Sequence, residues 1–261
     1  MKYYVESKIL ESDKPLSLGE IFNKLELGSN VLGAEVEGEV KDFYFNPSDE
    51  SKIYPIFLDN EKSLTLIRHS AAHILAQAVQ SIYPDTKVTI GPVIDDGFYY
   101  DFYTDRNFTE DDLKLFENKM HEILEKNVSF EKEVINRNEA LKIFSNLGET
   151  FKEEIINDLD ESQEISLYKQ GDWFDLCRGP HLPNSTFIKS FKLLSVAGSY
   201  WRGDETRESL QRIYGTAFSN PKDLKNNILE TTAVFLASGI DEKKNIIFNP
   251  VSYTHLTLPT S

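Results

Sequence analysis

The chain is poor in sulfur and in positive charge. Its 261 residues include one cysteine, two methionines and two tryptophans. A single cysteine permits no internal disulfide, and such usage suits a reducing compartment. No apolar run approaches the roughly 18 residues of a membrane span. The opening segment MKYYVESKILESDK also has no apolar secretory core. A cytoplasmic protein without a membrane partner is therefore expected. Lys and Arg number 28 against 43 Asp and Glu, a formal net charge of −15. An average field of that sign repels phosphate, so any contact with nucleic acid has to be local. Local positive charge does occur, at Lys169, Arg178, Lys189, Lys192, Arg202, Arg207 and Arg212, while the acidic excess gathers in residues 1–60 and 109–161. Low-complexity segments are missing too, and 40% hydrophobic with 12% aromatic content supplies cores for two domains.

The scarce residues are not spread evenly. Three of the five histidines and the cysteine fall in two short windows, RHSAAH at 68–73 and DLCRGPH at 175–181. In the first, His69 and His73 stand at i and i+4, so a helix over about residues 65–83 projects both imidazoles from one face. Ile67, Ala71, Ile74, Leu75, Ala78, Val79 and Ile82 form the apolar stripe, and the histidines lie opposite it beside Ala72, Ala76, Gln77 and Gln80. Small and polar neighbours suggest a second surface that lines a cleft rather than a face turned to water. In the second window Gly179 and Pro180 exclude a regular helix between Cys177 and His181, leaving a tight loop that can bring thiol and imidazole together. Two His from a helix with Cys and His from a loop can make a tetrahedral zinc site. The same four can equally form a metal-free polar pocket that orients a substrate and a water.

Read in order, residues 1–60 form a small α+β module without a catalytic constellation. A helix is expected around Leu18, Ile21, Phe22 and Leu25, with strands over 31–36, 40–45 and 54–58. After the histidine helix a strand over 86–94, a turn at Asp95, Asp96 and Gly97, and an aromatic strand over 98–103 make a hairpin. Thr109, followed by Glu110, Asp111 and Asp112, caps a helix whose buried stripe is Leu113, Phe116, Met120, Ile123 and Leu124, with His121 at the surface. A strand over 128–134, a helix from about residue 138 to Gly148 and a short helix from Phe151 follow. On local grounds Lys152 is ordinary surface charge. Strands over 165–167 and 173–176, joined through Gln170, Gly171 and Asp172, deliver Asp175, Cys177 and His181 at a strand end. Residues 191–201 read as a further strand pair, and 208–218 as the start of a connecting segment.

Taken together, His69-x3-His73, the run GPVIDDGFYYD at 91–101, DLCRGPH at 175–181, AGSYWRG at 197–203 and LQRIYGTA at 210–217 resemble the bacterial threonyl-tRNA synthetase family. The alanyl branch shares the histidine helix and a Cys-x3-His, but there the loop typically reads CGGTH. The resemblance implies an α+β fold, with a ubiquitin-like β-grasp (TGS) domain at 1–60 followed by a mixed α+β editing domain at 61–210 and the start of a linker at 211–225. It implies hydrolysis of serine wrongly esterified to threonine tRNA. His69, His73, Lys152, Asp175, Cys177 and His181 fall by position on the family's editing pocket, and Gly91, Tyr100 and Arg178 on its substrate-binding surround. The partner implied is the 3′ end of tRNA(Thr) carrying serine. The threonyl branch is expected to edit without a metal or other cofactor, while zinc on His69, His73, Cys177 and His181 would follow the alanyl type.

The resemblance also has an edge. The family's class II catalytic core, with its ATP, Mg and Zn, and its anticodon-binding domain are absent here, so no charging of tRNA is expected. The family's homodimer contacts lie mainly in that core, which makes a monomer the expectation for this chain. From Asn226 to Asn249 the sequence instead looks like an internal piece of tryptophanyl-tRNA synthetase, and 251–261 like a translated sequencing adapter. Residues 226–261 are therefore expected to be a chimeric tail in which His255 has no function, with an amphipathic helix at 226–240.

Overall fold

A computed structural model describes residues 1–237. Met1–Ser219 form one compact unit, and Asn220 begins a second. The first strands are β1 (Lys2–Val5) and β2 (Lys8–Glu11), followed by helix α1 (Leu18–Lys24) and strands β3 (Val31–Val36), β4 (Glu39–Lys41) and β5 (Lys52–Phe57). They make a sheet of order β2-β1-β5-β3-β4 in which only β1 and β5 run parallel. Alternation seats Tyr3 and Val5 inward, where they meet Leu18, Ile21 and Phe22 of α1. Ser17 starts α1 with a capping box closed by Glu20.

Helix α2 (Ser63–Ile82) is the axis of the rest. Behind it come the short strands β6 (Lys87–Val88) and β7 (Val93–Ile94), the aromatic β8 (Gly97–Tyr103) and helix α3 (Glu110–Leu124). Thr109 and Asp112 close the capping box of α3, and Asp112 also accepts the Tyr83 hydroxyl at 2.6 Å, tying α3 to the end of α2. Strand β9 (Phe130–Ile135), helices α4 (Arg137–Asn146) and α5 (Thr150–Asp158), and strands β10 (Ile165–Gln170) and β11 (Trp173–Leu176) follow. The unit ends with β12 (Ser190–Tyr200) and β13 (Ser209–Phe218). Two sheets result, β11-β10-β9 and β12-β13-β8-β6, with β7 also pairing β8. The second unit begins with α6 (Pro221–Ala237).

The two faces of α2 meet different partners, which is why its histidines are not solvated. Its apolar stripe packs on β8, β13 and α3. Its polar face is covered by the small sheet: Gln77 Oε1 accepts from Gln170 Nε2 at 3.0 Å and Gln80 Oε1 from Trp173 Nε1 at 2.7 Å. The expected cleft-lining surface is there, and it is closed over by β10 and β11.

Several expectations are corrected. Residues 1–11 contribute two strands that the segment's mixed polarity concealed. The strand expected over 40–45 stops at Lys41, because Asp42 turns its side chain into the interior and the chain bends there. The strand expected over 86–94 is split into β6 and β7 around Gly91 and Pro92, where proline has no N–H to give a ladder. Residues 190–200 are one long strand rather than a pair, and its partner is β13. Residues 211–218, read as the start of a linker, belong to β13, which lies between β12 and β8. Helix α6 occupies much of the amphipathic segment expected at 226–240, while His255 and residues 238–261 lie outside the described residues.

Candidate active site

Four elements converge on one cavity of about 470 Å³. Helix α2 supplies His69 and His73, the stretch from the end of β6 through β8 supplies Thr89, Gly91 and Tyr100, α5 supplies Lys152, and the end of β11 with its following loop supplies Asp175, Cys177 and Arg178. His181 closes the back of the same cluster. All nine sequence-expected residues are therefore brought together, though in different ways. His73, Lys152, Asp175, His181 and Tyr100 are buried, whereas Arg178 is exposed at the mouth, where it donates to Gln163 Oε1 at 3.3 Å.

Lys152 departs from its local reading as surface charge and lies in the pocket, where the resemblance put it. It is 2% exposed, with Nζ 2.7 Å from Asp175 Oδ1, 2.9 Å from Oδ2 and 2.7 Å from the Thr89 carbonyl oxygen. Its position on the inner face of α5, between Phe151 and Ile156, carried no local signal of that burial. Asp175 also accepts the Tyr100 hydroxyl at 2.5 Å and the Leu176 amide at 2.8 Å, so both its oxygens are engaged. Burial, with the neighbouring carboxylate, holds the Tyr100 phenol well above the usual tyrosine range, so it remains a donor. Gly91 permits this arrangement: a Cβ there would stand 2.2 Å from the Tyr100 ring.

The second half of the site is a hydrogen-bonded chain through two imidazoles and the thiol, with a third imidazole beside it. Burial pushes His69 down and His73 and His181 far down from the ordinary histidine value, so all three rings are neutral. The Cys177 thiol is pushed up to about 12, chiefly by burial. His69 Nδ1 lies 3.0 Å from the Pro180 carbonyl oxygen, which can only accept, so Nδ1 carries the proton and Nε2 is an acceptor. That acceptor is 3.5 Å from Cys177 Sγ, and the sulfur is 3.3 Å from His181 Nε2. His181 Nδ1 in turn is 3.2 Å from Ser70 Oγ, which accepts the Leu182 amide at 2.9 Å. Donors and acceptors balance if each group donates to the next: the Leu182 amide to Ser70, the Ser70 hydroxyl to His181 Nδ1, His181 Nε2–H to the sulfur, the thiol to His69 Nε2, and His69 Nδ1–H to Pro180.

His73 stands outside that chain. It is 2% exposed, its ring meets those of His181, His69 and Trp173 edge-on, and its Nδ1 has no hydrogen-bond partner. The donor atoms of His69, His73, Cys177 and His181 lie within 4.8 Å of one another, a set of soft and borderline ligands that suits zinc. Pro180 and Ser70 anchor the far nitrogens of His69 and His181 as outer partners of metal-bound imidazoles do.

Residues 165–214, from the start of β10 into β13, match the Threonyl and Alanyl tRNA synthetase second additional domain. The chain is 45% identical to the threonine--tRNA ligase of Legionella pneumophila (strain Corby) over 222 residues, covering 84% of this chain and 35% of that protein. The counterpart in Ehrlichia canis (strain Jake) is 49% identical over 208 residues, 78% of this chain and 33% of its own length. That of Pelobacter propionicus (strain DSM 2379 / NBRC 103807 / OttBd1) is also 49% identical, over 199 residues. Over these residues the chain is similar to threonine--tRNA ligases, which supports a threonyl-tRNA synthetase fragment. It spans about a third of the length of the curated relatives it matches. Asp175, Cys177, Arg178 and His181 fall inside the matched domain; His69, His73, Gly91, Tyr100 and Lys152 are brought to it by the fold.

Several residues of the site had no signal in the sequence. Asp42, Ser70 and Thr89 each bond to a site residue or its backbone, and Tyr168 bonds to Asp42 and packs its ring on His181. For Ser70 the helical spacing to His69 and His73 places it nearby; for the others no period or motif singles them out.

Proposed function

We propose that this chain hydrolyses the ester of serine mischarged on threonine tRNA, residues 1–60 forming the TGS module and the unit that follows the editing domain. The observation that carries this reading is the cavity that joins a buried Lys–Asp pair to a row of neutral imidazoles, within a chain related to threonine--tRNA ligases. Threonine and serine differ by one methyl, which a binding site discriminates by only about 1–3 kcal/mol, so a second, hydrolytic sieve is useful. In this reading Gly91 and Tyr100, which touch each other closely, form the wall that meets that methyl.

In the proposed reaction Asp175 holds the serine ammonium. The ammonium takes one of the carboxylate oxygens that Lys152 now holds, which turns Lys152 toward the ester oxygen, where its charge stabilises the developing oxyanion. His73 is the best-placed base: it is neutral and uncommitted, whereas His69 is engaged at both nitrogens. It takes a proton from water as the water attacks the carbonyl. The ester C–O bond then breaks, and the released 3′ oxygen of the tRNA takes up a proton. Cys177 is a structural member of the imidazole chain rather than the nucleophile, since a half-buried thiol held neutral is a poor one. The same chain supports a metal-free site, because every member finds a protein partner without an ion. Should zinc occupy the quartet, it would supply an activated water, and His69, His73, Cys177 and His181 would hold it. Arg178, at the mouth, contacts the tRNA end.

The deciding experiment compares release of serine and of threonine from charged tRNA(Thr) by the chain and by His73→Ala, with and without chelator. Rapid loss of serine alone, abolished by the substitution and indifferent to chelator, is expected. No release of either would reduce the chain to a tRNA-binding module, and chelator-sensitive release would move the chemistry to a metal.

A further inference from the structure

Asp42 lies in the amino-terminal module, directly after β4, yet is only 6% exposed. Its Oδ2 accepts the Tyr168 hydroxyl at 2.5 Å and the His181 backbone amide at 3.1 Å, and its Oδ1 accepts the Tyr44 amide at 3.1 Å. A carboxylate taken out of water persists only where such donors replace the water. Two of the three belong to the second domain, 126 and 139 residues away in sequence.

Everything these donors touch bears on the Cys177–His181 loop. The Tyr168 ring packs on His181 with centroids 4.5 Å apart. Tyr44 donates its hydroxyl to the Phe130 carbonyl at 3.0 Å, and the Phe130 ring stacks on His181 at 5.2 Å, nearly parallel. Gly179 is in the left-handed region at φ +78°, and a Cβ there would stand 2.4 Å from the Tyr168 hydroxyl and 2.7 Å from Asp42 Oδ2. The loop is therefore folded down onto the Asp42–Tyr168 pair, and His181 is held by its amide on one side and its ring on the other.

We infer that Asp42 is a positioning residue for the hydrolytic site: from the amino-terminal module it sets the loop that presents Cys177 and His181 to the cavity. The inference rests on the editing reading for its catalytic consequence, and on contacts alone for its structural one. Asp42 touches neither substrate nor reacting atoms. Loss of its carboxylate frees the Tyr168 hydroxyl and the His181 amide together, and the loop relaxes away from His69.

The test uses the full chain with Asp42→Asn, Asp42→Ala, Tyr168→Phe and the Asp42→Asn/Tyr168→Phe pair. Misplacement of a catalytic group by about 1 Å costs on the order of 100-fold, so kcat for serine release should fall roughly 10- to 100-fold, with KM changed little. Thermal melting checks that each variant is folded at the assay temperature. Because the two residues act through one bond, the double variant should be no slower than the slower single one. Two readouts need no substrate: the ¹H–¹⁵N resonance of the His181 amide should move upfield, and iodoacetamide should label Cys177 faster. If the unaltered chain fails to release serine, the editing reading falls and these two readouts decide the inference. Folded Asp42 variants with unaltered kcat, an unmoved His181 amide or fully additive effects with Tyr168→Phe would overturn it.

Discussion

Lys152 Nζ stands 2.7 Å from Asp175 Oδ1, with side chains only 2% and 3% exposed. Two opposite charges this deep are held by each other and by Thr89, Tyr100 and Leu176. Removing one partner of such a pair costs about 3–5 kcal/mol, while replacing both by apolar groups is often neutral. Lys152→Met should therefore lower the unfolding free energy in urea by that amount, and Lys152→Met with Asp175→Leu should recover most of it. Both variants should lose serine release. A Lys152→Met protein as stable as its parent would contradict the geometry.

Gly91→Ala places a methyl 2.2 Å from the Tyr100 ring. The ring must move, which breaks its hydrogen bond to Asp175. Serine release should drop at least about 10-fold, on the scale of losing a positioned hydrogen bond in the reacting complex, while circular dichroism stays unchanged. Gly91→Ala with unchanged release would show that Tyr100 does not shape the cavity.

The thiol of Cys177 is pushed up to about 12. Only the thiolate is alkylated, so labelling by iodoacetamide in the folded chain should remain slow through pH 8 and rise only above about pH 10. Labelling at the rate of a free cysteine at pH 8 would contradict a half-buried, neutral thiol. A zinc-loaded site gives a separate signature, since binding to the quartet must expel the thiol proton and acidify an unbuffered solution.

Acid should destabilise the chain through its histidines. His69, His73 and His181 are all lowered in the folded state, chiefly by burial, so between their folded values and about 6.5 the unfolded chain binds more protons. Stability contributed by the neutral rings is complete above that value and is lost as pH falls from about 6.5 toward the folded values. Each ring contributes a slope of up to about 1.4 kcal/mol per pH unit. Urea midpoints at pH 7.0 and 5.5 check this, and His73→Phe should flatten the dependence.

Much of the site was legible because its chemistry sits on scarce residues with local geometry. The i and i+4 histidines of α2 share a face on helical period alone, and glycine with proline fixes a loop between Cys177 and His181 whatever the surroundings. The cap at Thr109 behaves the same way. What stayed hidden depends on contacts distant in sequence. Nothing around Lys152 distinguishes an inward lysine from an outward one, since its burial is created by Asp175 and Thr89. Likewise β12 looked like two strands because Gly198 and Ser199 interrupt its hydrophobic pattern, and only ten residues of pairing with β13 make it continuous. Asp42 shows the limit most plainly, since two of its three partners lie more than 120 residues away.

The placement of β13 between β12 and β8 has a consequence for how the molecule is made. Its residues are the last of the sheet to be synthesised, yet they fill its middle. Until Phe218 has left the ribosome, β8 and β12 each present a bare row of amide and carbonyl groups, the kind of edge that recruits other chains. A nascent chain stalled before Ser209 would therefore be aggregation-prone, even though every catalytic side chain had already been translated.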